Sequence, residues 1–265
     1  MKKSKSSHIF PIGVKLALII GFIVLVSLGT VTFLNSFFIS KDVRITAEEN
    51  NLTINSRSAS TVQNEIVSIR SNVFQILDLI NVMSGGKNSA LAKQAQAFFF
   101  ERNSDIAEVL LLTNYNENSN LVVHTRLKNT RFFTSNEIDF NATDDFISQN
   151  KKKFLRACGG EPIALNASPF FKTGMMSIIL PYRESGLNQC CVILFSLESV
   201  MDILGSGSMN STFMINDSDD LLFHAENDRI LSGQSMKNHP LVIRPLCDFK
   251  ATSLSHRLGR RNPKR

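Results

Sequence analysis

His124 and Arg126 on one extended segment, Arg131 just beyond it, the acid pair Asp144 and Asp145, and Tyr182 at the end of a later apolar run are the side chains whose types fit recognition of a small molecule. An arginine offers a planar fork of donors to a carboxylate or another anion, and a tyrosine hydroxyl adds a donor at the mouth of a cleft. Each also has a structural reading as a solvated or sheet-edge polar residue. Asp144 and Asp145 suit the first turn of a helix, where acids complement the dipole. The lysines at 151–153 read as a solvated helix face.

Covalent and metal chemistry have no comparable basis. The sequence holds no phosphate-cradling glycine loop, no serine-centred elbow and no His-Glu metal motif, and His124, His224 and His239 lack ligand spacing. No catalytic residue, metal ligand or cofactor is therefore assigned. The four cysteines, Cys158, Cys190, Cys191 and Cys247, show no C-x2-C pair, which argues against a zinc site or a disulfide scaffold. A bridge from Cys158 to Cys190 or to Cys191 is open in an oxidising compartment; the adjacent pair also reads as small buried side chains in a strand. Phe98-Phe99-Phe100 and Phe170-Phe171 read as core or interface aromatics.

These side chains must be held by a body whose location the N-terminus assigns. Residues 16–34, LALIIGFIVLVSLGTVTFL, are uncharged and apolar, and the run continues almost unbroken to Ile39. About 20 apolar residues span a hydrocarbon core of roughly 30 Å, and lysines before the run hold the head in the cytoplasm. The run exceeds the core of a cleavable signal and is not followed by an Ala-x-Ala exit. The expectation is a retained single span through residues 16–39 in the inner (cytoplasmic) membrane, with the rest outside. The net charge of +6 agrees: nine positive charges lie in the first and last fifteen residues, with no acids there, which leaves −3 for residues 16–250. A mildly acidic body excludes nucleic acid as a partner.

From Lys41 to Met83 there is no Pro or Gly, and apolar residues recur every seven: Ile45, Leu52, Ala59, Ile66, Val73 and Ile80, with Val62, Ile69, Ile76 and Met83 three further on. This is one stripe of a long helix that packs along a second copy of the chain or along its own domain. Polar Glu48 and Asn55 at seam positions weaken pairing near the membrane. After Ser84-Gly85-Gly86 a second helix is predicted over 89–100. Strands follow at 106–113 and 121–127, a helix at 141–157, strands at 175–182 and 189–196, and a short helix at 197–204. A new hairpin, 212–216 with 221–224, then begins. The expected class is α+β, an antiparallel sheet with helices on one face.

The segment STFMINDSDDLLFHAENDRILSGQSMKNHPLV, residues 211–242, resembles the strand–turn–strand of the membrane-proximal lobe in double Cache sensor domains. Ile215, Asp217, Leu222, His224 and His239-Pro240-Leu241 carry the match; Asp220 stands where the family usually has Gly. The runs at 164–182 and 192–207 look most like the sensor half of bacterial membrane-bound class III adenylate/guanylate cyclases, with chemoreceptors next. The resemblance covers about residues 10–243. It implies two PAS-like lobes: a membrane-distal Cache lobe over 84–207 and an incomplete proximal lobe over 208–243. It also implies an unidentified small ligand and a long helix that relays its binding. Double Cache amino-acid receptors read the ligand with Arg-x-Trp-Tyr, and this chain has no Trp, so that specificity is not transferred. The match ends near Val242-Ile243. The basic tail 244–265 has no periodicity and reads as disordered or out of frame, with the output domain absent. The readings carried forward are a receptor's sensor part, of cyclase or chemotaxis type, and a membrane-anchored binding or interaction protein.

Overall fold

The computed structural model describes residues 11–84, 89–115, 120–182, 188–205, 212–239 and 242. The chain divides into two compact units, Met1–Ala59 and Ser60–Arg265. The expected stops at Gly85-Gly86 and Gly207, the turns within 116–119 and 183–187, the Pro240-Leu241 pair and the tail from 244 lie outside the described residues.

One helix, α1 (Ile12–Ser84), replaces the separate apolar span and long helix expected from the sequence. The reason is local: from Thr30 to Ser84 there is neither Pro nor Gly to end it. In the first unit every described residue except Ser58 is exposed, including Leu25, Phe33 and Phe37. α1 is the helix, among the described residues, that is long and apolar enough to cross a membrane. The hydroxyls of Ser27, Thr30 and Thr32 donate to the carbonyls of Val24, Val26 and Leu28 at 2.7–3.0 Å, as a hydrocarbon environment demands.

In the second unit the same helix buries Val62, Ile66, Ile69, Val73, Ile76, Leu77 and Ile80. Leu77 apart, which lies beside Ile76, their alternating spacing of four and three keeps them on one stripe, and the stripe forms a single core with Ile106, Val109, Leu111, Ile178, Leu180, Cys191, Ile193 and Phe195. The seven-residue repeat from Val62 to Ile80 is thus taken up by the protein's own sheet. α2 (Ser89–Arg102) adds Phe99 and Phe100 to this core, and Asn72 Nδ2 donates to Asn103 Oδ1 at 3.0 Å where α2 ends. Phe98 is left exposed.

The sheet is antiparallel, five strands in the order β2-β1-β5-β4-β3, from β1 (Ile106–Asn114), β2 (Leu121–Lys128), β3 (Ile163–Asn166), β4 (Met175–Tyr182) and β5 (Asn188–Ser196). β1 and β5 are central and covered on both faces. Their sequences therefore read as continuous apolar runs. The face opposite α1 carries α3 (Thr130–Ser135), α4 (Ala142–Gln149), α5 (Lys151–Cys158) and α6 (Ser168–Phe171), packed through Phe133, Phe146, Phe154 and Phe171. The single helix expected over 141–157 is broken at Asn150, whose side chain and backbone N–H both donate to the Phe146 carbonyl. A side chain competing for the helical acceptor favours such a break.

After α7 (Glu198–Gly205), β6 (Phe213–Ile215) and β7 (Leu221–His224) pair antiparallel, and α8 (Asn227–Leu231) follows. These elements do not keep a separate core. Leu222, Phe223 and Ile230 join the core beneath α1. Asn216 Nδ2 donates to the Ala164 carbonyl at 3.1 Å and Asn166 Nδ2 to the Ile230 carbonyl at 2.8 Å. Gly233, at φ +64°, sits so close to Pro169 that an added Cβ would lie 3.3 Å from the proline ring.

Candidate functional site: a charged cluster at the sheet edge

The edge strand β2 places Arg126 and Lys128 two residues apart, so both point to the helical face of the sheet. Register fixes their neighbours. Lys128 lies opposite Glu108 and Arg126 opposite Leu110 on β1. Glu108 follows a bulge between Ile106 and Glu108 in the β1–β5 pairing. It has no solvent exposure. From the first turn of α4, Thr143 and Asp144 close the cluster from above.

The Thr143 hydroxyl donates to Glu108 Oε2, and Arg126 Nε approaches Glu108 Oε1 at 3.3 Å. Oε1 accepts no hydrogen bond, so the ion pair is its only compensation for burial. Lys128 Nζ stands 3.9 Å from Glu108 Oε2, donates to the Phe140 carbonyl at 2.8 Å and lies over the Phe133 ring at 4.2 Å. The far side of the Arg126 guanidinium binds Asp144 through both terminal nitrogens. Four charged groups therefore share one edge, two of each sign.

Burial pushes the Glu108 carboxyl above its ordinary value, opposed by the Thr143 hydrogen bond and by the charges of Lys128 and Arg126. The hydrogen bond from Arg126 holds Asp144 below the usual carboxylate range, and Asp144 in turn keeps Arg126 more firmly protonated. With Glu108 ionised the cluster is neutral; with Glu108 protonated it carries one uncompensated positive charge. Chemically, the arrangement offers a guanidinium whose outer partner, Asp144, is exposed. An incoming anion can take Arg126 from the exposed Asp144, while Glu108 absorbs the charge imbalance by binding a proton.

Of the sequence-derived candidates, the structure brings Arg126 and Asp144 together. It does not bring Tyr182 to them. Tyr182 faces the α1 side, where its hydroxyl donates to Asp78 Oδ1 at 3.0 Å and its ring meets Phe74 edge-on at 5.5 Å. His124 is exposed at the β2 bulge, between the residues paired with Leu111 and Leu112. Arg131, exposed on α3, lines a surface groove with Lys93, Phe100 and Lys128. Asp145 is exposed in the first turn of α4, as its reading as a helix-start acid requires. Sequence reasoning missed Glu108, Lys128 and Thr143. The available signal was Glu108 itself, a lone charge inside the apolar run IAEVLLLT, since a charge in a strand buried on both faces needs partners. Among the described residues no group of three or more His, Cys, Asp or Glu is placed to hold a metal ion. No protein-family model matches this sequence, and no curated protein matches it.

Proposed function

We propose that this chain is the sensory part of a membrane receptor of the double Cache kind, whose sheet domain lies outside the cytoplasmic membrane and binds a small anionic molecule. The output is of the class III adenylate/guanylate cyclase type and is carried by a segment other than this one. The observation that carries the reading is that one helix contains both the apolar run and the buried stripe beneath a five-stranded antiparallel sheet. A shift in that sheet is felt by α1 through the stripe and through the Tyr182–Asp78 hydrogen bond. A ligand that binds one arrangement better than another biases it by its differential affinity. Arg126 and Lys128 supply the cations for the ligand's charge, and Asp144 is the group it displaces.

The test is a thermal-shift screen of the full chain in detergent against mono- and dicarboxylates, phosphate and sulfate, followed by calorimetry on any hit. Expected is saturable stabilisation by an anion, weakened at least tenfold by R126A and little changed by R131A. A panel without a stabilising anion, or a hit that R126A leaves intact, removes the anion assignment. Digesting intact spheroplasts with an external protease checks the orientation: the sheet domain should be cut only when it faces outward.

A second reading, a membrane-anchored interaction protein, is favoured by one observation. The helical face of the sheet is filled by Phe133, Phe146 and Phe154, each without exposure, where a ligand chamber would otherwise lie. On that reading the chain binds a protein partner, and none of the small anions stabilises it.

A further inference from the structure

We propose that Cys158 and Cys190 are a disulfide-forming pair that pins the last turn of α5 to the central strand β5. The sequence leaves Cys190 and Cys191 as equal partners for Cys158; strand alternation separates them. Cys190 turns into the layer beneath the helices, with Cys158, Phe154 and Ala157, while Cys191 turns into the opposite core under α1. The helix that ends in Cys158, α5, packs directly on β5. Cys190 Sγ also donates to the Phe154 carbonyl at 3.8 Å, the acceptor one helical turn before Cys158. That contact holds the Cys190 sulfur at the turn that ends in Cys158. All three thiols are buried and free in this structure.

The chemistry needs a disulfide oxidant of the glutathione class. Cys158 is the attacking thiol, because it is the more exposed of the two and the oxidant reaches it first. Its sulfur bonds to one sulfur of the oxidant and expels the other as a thiolate. Cys190 then loses its proton and attacks Cys158 sulfur, releasing the second oxidant thiol. Two protein thiols are oxidised by two electrons, and one small disulfide is reduced to two thiols. The bridge closes a loop containing β3, α6 and β4, and it requires neither the ligand nor the receptor reading.

The experiment equilibrates the purified full chain in detergent with a reduced/oxidised glutathione buffer. The products are alkylated under denaturing conditions and the peptides mapped by mass spectrometry. Expected is a Cys158–Cys190 linked peptide pair lighter by two hydrogens, with Cys191 and Cys247 alkylated. C191S leaves the link in place, and C190S leaves Cys158 without an internal partner. Four alkylated cysteines at every oxidant ratio, or Cys158 linked to Cys191 or Cys247, overturns the proposal.

Discussion

Ionising Glu108 puts a negative charge on a side chain with no solvent exposure. Because burial raises its folded pKa above the ordinary 4.5, the folded state holds the proton more tightly than the unfolded chain does. That contribution to stability is complete below 4.5 and is lost as pH rises through the raised folded value. Glu108→Gln removes the titration while keeping a partner for the Thr143 hydroxyl. Melting temperatures of wild type and E108Q followed from pH 4 to 8 should diverge above 4.5, wild type falling relative to the variant; parallel curves would sink the argument. At Arg126 and Asp144 the magnitudes differ. The Asp144 side chain is 55% exposed, so Asp144→Ala should cost under about 1 kcal/mol. Arg126→Ala strips the partner from a buried carboxyl oxygen and should cost about 1–3 kcal/mol. Equal losses in urea titrations would show that Arg126 does nothing for Glu108. Residue types alone made Arg126 and Asp144 legible as candidates. Their pairing was not, because it depends on Glu108 and on the β1–β2 register.

Among elements, α1 was the most legible in sequence and also the one whose partner was left open. A stripe of period seven states that a face is buried without stating against what. Here the sheet takes Val62 to Ile80, whereas Ile45 and Leu52 remain exposed in the first unit. Substitution separates the two faces of the helix. Leu77→Ala, at 1% exposure, should cost about 2–5 kcal/mol through lost burial and a cavity. Val82→Ala, at 79%, should stay within about 0.5 kcal/mol. Chemical denaturation decides it, and a large Val82 effect with a silent Leu77 would mean that the helix is rotated. The long strands were visible because β1, β4 and β5 are continuous apolar runs between polar turns. β3 escaped because four residues behind Pro162 carry too little periodicity, and α3, α6 and α8 because one or two turns give no repeat. The break at Asn150 comes from a side-chain hydrogen bond, which an apolar count does not register.

At the scale of the whole molecule the decisive question is where the folded unit ends. The sequence resemblance puts a lobe boundary near residue 207, with a distal lobe before it and an incomplete proximal lobe after it. Packing argues that the later elements are needed. Leu222, Phe223 and Ile230 sit in the same core as Val73 and Phe195, and across the proposed boundary Asn216 donates to the Ala164 carbonyl and Asn166 to the Ile230 carbonyl. Removing β6, β7 and α8 would uncover that core and forfeit about 1.5–3 kcal/mol for each large apolar side chain lost. A chain of residues 60–242 should therefore melt cooperatively and show well-dispersed amide proton resonances. A chain of residues 60–205 should melt at least about 5 °C lower and bind a hydrophobic dye. Equal melting temperatures without dye binding would return the boundary to 207 and make the second hairpin a dispensable appendage. The predicted inequality would instead make the two sheets one mechanical body, in which a displacement at the β2 edge reaches α1 through a single continuous core.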